Sequence, residues 1–509
     1  MLDVVNVTGL PNCYFGWISL LFLLAALIYW FGISGYAVTN HVPLPGPKPW
    51  PYLGNLLDAF KYGGLHKAFL EYGKRYGKVF KMYMGRDAII AVADPEMLKH
   101  ILVTDFHKFR NRPEFLAGRA PLSKGLFGAR DDDWKRVRSI LTPTFSSFKL
   151  KELVPIMEEA ADILLSKFEN FAKEEKSVDV STPFGQFTLD IILSAGFGLK
   201  ADVQTNPADP DLVKKALSVF IVPVYIRALT MFPFYRHLKK IFDLNPIQHV
   251  PYFAKLARGI LELRRSGSVG RRDLVQLMLE ATEESNNEVK TLTDEEIIAQ
   301  CITFLVAGSE TTGSTLALIA YHLAYYPEIQ ERLLREIDDA TKSRGDVSIY
   351  EFVQSLEYLD RVVSEVLRLC TVGYVNVRDC METCVINGVE FPAGACVYIL
   401  SYCVHRDPDY WPEPEKFDPD RFLPEVAEKR PTFSYLPFGL GPKQCIGIRM
   451  AQLEMKLALV KILRKMKFER GLGTTETIKL HASTILVPRE PICVRVVARS
   501  SQTMATASK

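Results

Sequence analysis

The stretch Phe438-Gly439-Leu440-Gly441-Pro442-Lys443-Gln444-Cys445-Ile446-Gly447 sets one cysteine among three glycines. Glycines let a backbone turn tightly enough for main-chain N–H groups to point at the sulfur. An iron-bound thiolate needs such donors, because they spread its charge and set its redox potential. A helical pattern begins at Ile448, so the positive end of that helix would face the same charge. Composition alone leaves a second reading open, a small buried thiol in a tight loop.

A second group with chemical potential is Ala307-Gly308-Ser309-Glu310-Thr311-Thr312, in the middle of the helical pattern Asp294 to Tyr325. Thr293 and Glu296 form a capping box, Pro327 lies past the far end, and apolar residues cover every side, so this helix is expected to be buried. A glycine there costs about 1 kcal/mol relative to alanine, and an unpaired buried polar group about 1–3 kcal/mol. Such a cost points to function, because an acid beside an alcohol can relay protons through water. Glu310 and Thr311 are the candidates. The alternative is a kinked helix whose hydroxyls bond back to carbonyls one turn earlier.

Glu365 and Arg368 are three apart, Trp134 and Arg138 four apart, so each pair shares a helix face. Most ion pairs at this spacing are solvated and contribute little. Cys380 and Cys384 have no second Cys or His pair at zinc-finger spacing and read as two ordinary thiols near a turn. The nine cysteines are scattered and odd in number, against a secreted disulfide framework.

The elements that must position these groups are mostly helical: Asp131 to Leu141, Leu150 to Phe171, Pro251 to Arg265, Asp294 to Tyr325, Leu356 to Leu369 and Ile448 to Lys465. Two β-hairpins are expected, Val79 to Met84 with Ala88 to Val92, and Cys384 to Ile386 with Val389 to Phe391 about Asn387-Gly388. The uncharged run Tyr14 to Ile33 is long enough to cross a bilayer, and the first basic residue, Lys48, follows it. That asymmetry places the body on the cytosolic side, with the sequon Asn6-Val7-Thr8 lumenal and too near the membrane for use. From Val42 to Pro51 the prolines forbid helix and central strand, giving a stiff spacer. Ser218 to Tyr235 is apolar but broken by Pro223, Arg227 and Pro233, and reads either as an interfacial entrance or as ordinary core. Only Ala281 to Lys290 resembles a linker. The expected fold class is therefore mainly α with small β-sheets: residues 1–40 a lumenal tail and transmembrane anchor, 41–55 a proline-rich hinge, 56–509 one large catalytic domain.

The 62 basic and 59 acidic residues leave a formal charge of +3, so no overall field draws in nucleic acid, and none is expected as a partner.

The spacing Phe-x-x-Gly-x-basic-x-Cys-x-Gly resembles the haem-binding signature of the cytochrome P-450 superfamily, and the resemblance covers nearly the whole chain. The spacer ending in Gly54-Asn55 resembles the microsomal hinge. Glu365-x-x-Arg368 resembles the family's helix ion pair, and Phe417-Asp418-Pro419-Asp420-Arg421-Phe422 the motif that closes onto it. In Phe109-Arg110-Asn111-Arg112-Pro113 and Trp134-Lys135-Arg136-Val137-Arg138 the chain is most similar to the clan containing the family 3A drug and steroid oxidases and thromboxane synthase.

The resemblance implies haem b held by Cys445 and Phe438, with Arg112, Trp134, Arg138, Arg378 and Lys443 at propionate-binding positions, and Glu365, Arg368 and Arg421 as a buried structural set. It implies a monooxygenase that puts one atom of dioxygen into a hydrophobic steroid, fatty acid or xenobiotic. Glu310 and Thr311 would deliver the protons, and Gly308 would leave room for dioxygen. His405-Arg406-Asp407-Pro408 and Trp411 match another family stretch and read as structural. No complete Gly-x-Gly-x-x-Gly follows a strand and no P-loop is present, so no nicotinamide or flavin site is expected here. Electrons would come from NADPH-cytochrome P-450 reductase in the endoplasmic reticulum membrane, assisted by cytochrome b5. Lys135, Arg136, Lys443 and Arg449 would supply the docking charge, or else form an ordinary solvated surface.

Two departures stand out. Lys443 takes the place of the family's usual Arg, offering a point charge rather than a bidentate fork. Leu369-Cys370-Thr371-Val372-Gly373-Tyr374 lacks the prolines usual after Arg368, so the substrate is not transferable from any relative. Two rival functions remain at this point, an oxygen-independent isomerase of fatty-acid peroxides, against which Thr311 weighs, and a non-catalytic membrane haem-binding protein, against which Glu310-Thr311 weighs.

Overall fold

Helical periodicity builds most of the chain. The computed structural model describes residues 12–113, 120–199, 201–206, 212, 215, 249–266, 273–283, 291–482 and 484–499. In chain order the main helices are α1 (Asn12–Ser34), α2 (Leu65–Tyr76), α3 (Asp131–Leu141), α4 (Ser147–Lys173), α5 (Ser181–Ile191), α6 (Val250–Arg265), α7 (Asp294–Tyr325), α8 (Pro327–Ser343), α9 (Glu357–Leu369) and α10 (Ile448–Leu463). The expected helices all occur, with ends shifted by no more than three residues. The readings at Asn6-Val7-Thr8, Ser218 to Tyr235 and residues 284–290 lie outside the described residues.

Helix α7 runs through the larger core, with nearly every residue from Glu296 to Ala324 buried or half-buried. Its capping box is present, Thr293 Oγ1 accepting from Glu296 N–H at 3.3 Å and Glu296 Oε2 accepting from Thr293 N–H at 2.8 Å. Helices α5, α6 and α9 pack on it, and α10 packs along α4. A Cβ on Gly313 would lie 3.0 Å from Gly185 Cα, so the glycine on α7 lets α7 and α5 approach closely.

The strands are short: β1 (Val79–Met84), β2 (Asp87–Val92), β3 (Ser177–Asp179), β4 (Asn376–Asp379), β5 (Cys384–Ile386), β6 (Val389–Phe391), β7 (Cys396–Ile399), β8 (Met466–Glu469), β9 (Leu480–Ala482), β10 (Leu486–Pro488) and β11 (Cys493–Ala498). They form a sheet in the order β1-β2-β7-β4, a sheet β3-β11-β8, and the pairs β5-β6 and β9-β10. Both expected hairpins are among them. In the largest sheet β2 runs parallel to β7, pairing Ile89 with Cys396, and β7 antiparallel to β4, pairing Val397 with Arg378. A second apolar core fills the space around that sheet.

Two described helices are long and apolar enough to cross a membrane, and they differ in burial. The stretch in α7 is enclosed by protein, whereas α1 exposes its apolar side chains from Trp17 to Trp30. The end of α1 is clamped to the β1–β2 turn. The Arg86 guanidinium lies 3.6 Å from the Phe31 ring centroid and donates to Ser34 Oγ at 2.8 Å. The proline-rich spacer then lies against β1, with Lys81 N–H donating to Pro45 O at 2.9 Å.

Candidate active site

The Cys445 loop is folded by its glycines. Gly439 and Gly441 have φ of 69° and 77°, and a Cβ on Gly441 would stand 2.1 Å from Leu102 O, so no side chain fits there. The turn brings Cys445 N–H to Phe438 O at 2.9 Å. Burial pushes the Cys445 thiol up from its ordinary range, opposed by the Gly447 N–H that points at the sulfur and by Arg138 and Arg112. Cys445 nevertheless presents accessible surface. Cys445 is therefore crowded by protein on most sides while keeping one open face.

Cations gather round this loop. The N–H of Asp379 donates to Asn111 O at 2.9 Å, which brings Arg378 of β4 beside Arg112. Arg130 donates to Arg112 O at 2.6 Å and to Asp379 at 3.1 Å, fixing the same junction. The Lys443 ammonium sits 4.4 Å from the Trp134 ring centroid. Burial and Arg138 push Arg112 down to about 10, and burial and Arg112 push Arg378 down to about 9. Burial, with Arg112, Arg378 and Arg130, pushes Lys443 down to about 6, and burial also lowers Arg138. Among the described residues, Arg378 Nε and Lys443 Nζ are buried without a hydrogen-bond partner.

Helix α7 reaches this region through one loop. Leu126 N–H donates to Gln300 Oε1 at 2.8 Å, and the next residue, Phe127, accepts from Arg112 Nη1 at 3.1 Å. Two turns along α7, Ala307 is exposed although most of the helix is buried. Burial pushes the Glu310 carboxyl up, opposed by the Ser314 hydroxyl, which donates to Oε1 at 2.9 Å. Thr311 Oγ1 donates to Ala307 O at 2.6 Å, and Ser309 Oγ to Leu305 O at 2.9 Å. The hydroxyls thus make the back-bonds of the alternative reading, while the carboxyl accepts from Ser314. Gly308, expected to leave room for dioxygen, faces protein instead. A Cβ there would meet Ile192 Cδ1 at 2.5 Å, so the glycine admits the segment after α5, and Ala307 is the small residue on the open side.

The chain matches the family described as Cytochrome P450 over residues 44–496. It is 38% identical over 491 residues to "Cytochrome P450 3A2" of Rattus norvegicus, covering 95% of this chain and 96% of that protein. It is 37% identical to "Cytochrome P450 3A41" of Mus musculus, over 94% and 96%, and 37% identical to "Cytochrome P450 3A29" of Sus scrofa, over 93% and 95%. The chain belongs to the cytochrome P450 family. It is related to the 3A oxidases, and it is an NADPH-dependent haem-thiolate monooxygenase acting on hydrophobic substrates. Membership in the P450 family implies haem b, and α1 is consistent with a single membrane anchor.

The donor set around Cys445 fits that group. Haem brings two propionates, and the crowd of desolvated basic side chains, two of them with buried unpartnered nitrogens, suits such anions.

Glu365, Arg368 and Arg421 are brought together in the interior. Arg368 holds Glu365 and donates to His405 O and Pro414 O, each at 2.8 Å, while Arg421 Nε lies 3.5 Å from Glu365 Oε1. The four docking charges are not all exposed. Lys443 is only 7% exposed and faces inward, and Arg136 is bonded to Glu296, leaving Lys135 and Arg449 as exposed cations. Lys443 as a docking charge is thus corrected: the turn that presents Cys445 also folds the ammonium under Trp134. Arg130, Asp379 and Ser314 were missed. Ser314 is four residues after Glu310, a spacing that could have revealed it. The Arg130 junction depends on contacts that no local pattern encodes.

Proposed function

We propose that this chain is a microsomal monooxygenase whose haem iron is ligated by Cys445. The observation that carries the assignment is a desolvated but accessible sulfur under the Gly447 N–H, with Arg138 and Arg112 beside it. Arg112, Arg138, Arg378 and Lys443, with Trp134, hold the propionates, and half-buried Phe438 packs at the ligand loop. When bound, haem supplies activation of dioxygen, so that one atom enters the substrate and the other leaves as water. Glu310, whose proton affinity burial raises, is the proton donor on α7, and the Thr311 oxygen accepts from water and passes protons on. Ala307 leaves the space in which the substrate meets this face of α7.

We assign residues 1–40 to tail and anchor, 41–55 to hinge and 56–509 to the catalytic domain, which lies on the cytosolic face of the endoplasmic reticulum. NADPH-cytochrome P-450 reductase, with cytochrome b5 as a second donor, supplies electrons, and Lys135 and Arg449 contribute docking charge. The test is the carbon monoxide difference spectrum of the reduced protein, wild type against Cys445→Ala. A thiolate-type band in the wild type alone is expected. A histidine-type band in the wild type, or turnover of a peroxide without NADPH and dioxygen, overturns the assignment.

A further inference from the structure

The loop after Arg368, where the family usually carries prolines, holds a buried hydrogen-bond chain. Leu436 N–H donates to His405 Nε2 at 2.7 Å, so that nitrogen is the acceptor and the ring proton sits on Nδ1. Nδ1 lies 2.8 Å from Thr371 Oγ1, and the Thr371 hydroxyl donates to Arg368 O at 2.7 Å. The polarity is consistent from end to end: amide to imidazole, imidazole to hydroxyl, hydroxyl to carbonyl. Thr371 and His405 are both fully buried. A proline at position 371 would have no hydroxyl to meet Nδ1.

The far end of this chain controls the ligand loop. Leu436 O accepts from Gly439 N–H at 3.1 Å, and Phe438 O accepts from Cys445 N–H. The flanking residues are pinned to the same frame, Ser434 O by Trp411 Nε1 at 3.2 Å and Tyr435 by its hydroxyl to Ser364 O of α9 at 3.0 Å. At the near end Arg368 also donates to His405 O. The Glu365–Arg368 pair is therefore connected to the cysteine loop through one imidazole.

We propose that Thr371 and His405 are positioning residues for Cys445, transmitting the placement of α9 to the backbone that presents the sulfur. The proposal rests on Cys445 being the haem ligand. It is tested in the full-length holoprotein with Thr371→Val, which keeps the volume but loses the hydroxyl, and Thr371→Ser, which keeps the hydroxyl. In Thr371→Val, amide hydrogen exchange over residues 434–439 is expected to accelerate at least about fivefold. The thiolate-type carbon monoxide band should also convert faster to the neutral-thiol type. Thr371→Ser should behave as wild type in both. Unchanged exchange in Thr371→Val, or equal acceleration in Thr371→Ser, overturns the proposal. If Thr371→Val does not fold, nitrogen-15 shifts of His405 in the wild type decide: a neutral ring protonated on Nδ1 supports the chain, and a charged or Nε2-protonated ring overturns it. A wild type lacking the thiolate-type band would instead sink the ligand assignment, whatever the exchange shows.

Discussion

Arg368 grips Glu365 through two parallel bonds, Nε to Oε2 at 2.7 Å and Nη2 to Oε1 at 2.8 Å, with both side chains wholly inside the protein. Asp418 N–H donates to Oε1 at 2.9 Å, so the carboxylate also holds the segment that carries Arg421. Burial pushes the Glu365 carboxyl up and Arg368 pulls it back, and each partner compensates the desolvation of the other. Glu365→Gln strands the guanidinium, and Arg368→Lys cannot make both bonds. Each is expected to cost about 3–5 kcal/mol, read as a lower denaturant midpoint and lost haem. A midpoint equal to wild type would show that the pair is dispensable.

Lys443 places one ammonium where a planar fork is usual, and its Nζ is buried over Trp134 without a hydrogen-bond partner. A guanidinium stacks on the same ring and offers two donors to a carboxylate. Lys443→Arg is therefore expected to slow haem transfer to apomyoglobin by about fivefold to tenfold, the equivalent of one charge-assisted bond. Transfer at the wild-type rate would mean that Lys443 does not reach a propionate.

Thr311 spends its own proton on Ala307 O, which leaves its oxygen free to accept from water. Thr311→Ala removes that acceptor without touching Glu310 or Ser314. NADPH consumption is expected to continue while product formed per NADPH falls at least about tenfold, the balance appearing as hydrogen peroxide. Thr311→Ser should restore most of the coupling. Equal coupling in Thr311→Ala and wild type would remove the threonine from proton delivery.

The long helices were legible because their apolar spacing repeats over many turns, and the Thr293 box marked the start of α7 to the residue. The sheets were legible only where a hairpin is local, as at Asn387-Gly388. The parallel pairing of Ile89 with Cys396 joins a six-residue and a four-residue strand far apart in sequence, and nothing in either strand names its partner. The same division runs through the site. Cys445 and its glycines form one contiguous pattern, but the meeting of Arg112 with Arg378 depends on the bond from Asp379 N–H to Asn111 O and on Arg130, which bridges Arg112 O and Asp379. Burial of Lys443 and the partner of Thr371 are likewise tertiary facts: sequence marked both as departures without showing what either touches.

His322 gives the fold an acid limit. It lies in the last turn of α7, where Nδ1 is 2.8 Å from Leu318 O and, facing a carbonyl, carries a proton and donates. Its ring packs 4.8 Å from the centroid of Phe417. Burial pushes its pKa down from 6.5 to about 4, and burial followed by Lys67 does the same to His66. The unfolded chain takes up these protons as pH falls through 6.5, while the folded chain resists until about 4, so each histidine's contribution is complete above 6.5 and shrinks on acidification. The slope is about 1.4 kcal/mol per pH unit for each such group. His322→Gln retains a donor for Leu318 O but cannot charge. Between about pH 6.5 and 4.5 its unfolding free energy should therefore fall less steeply than that of the wild type, by about that slope. Parallel pH profiles for the two proteins would show that His322 is protonated in the folded state.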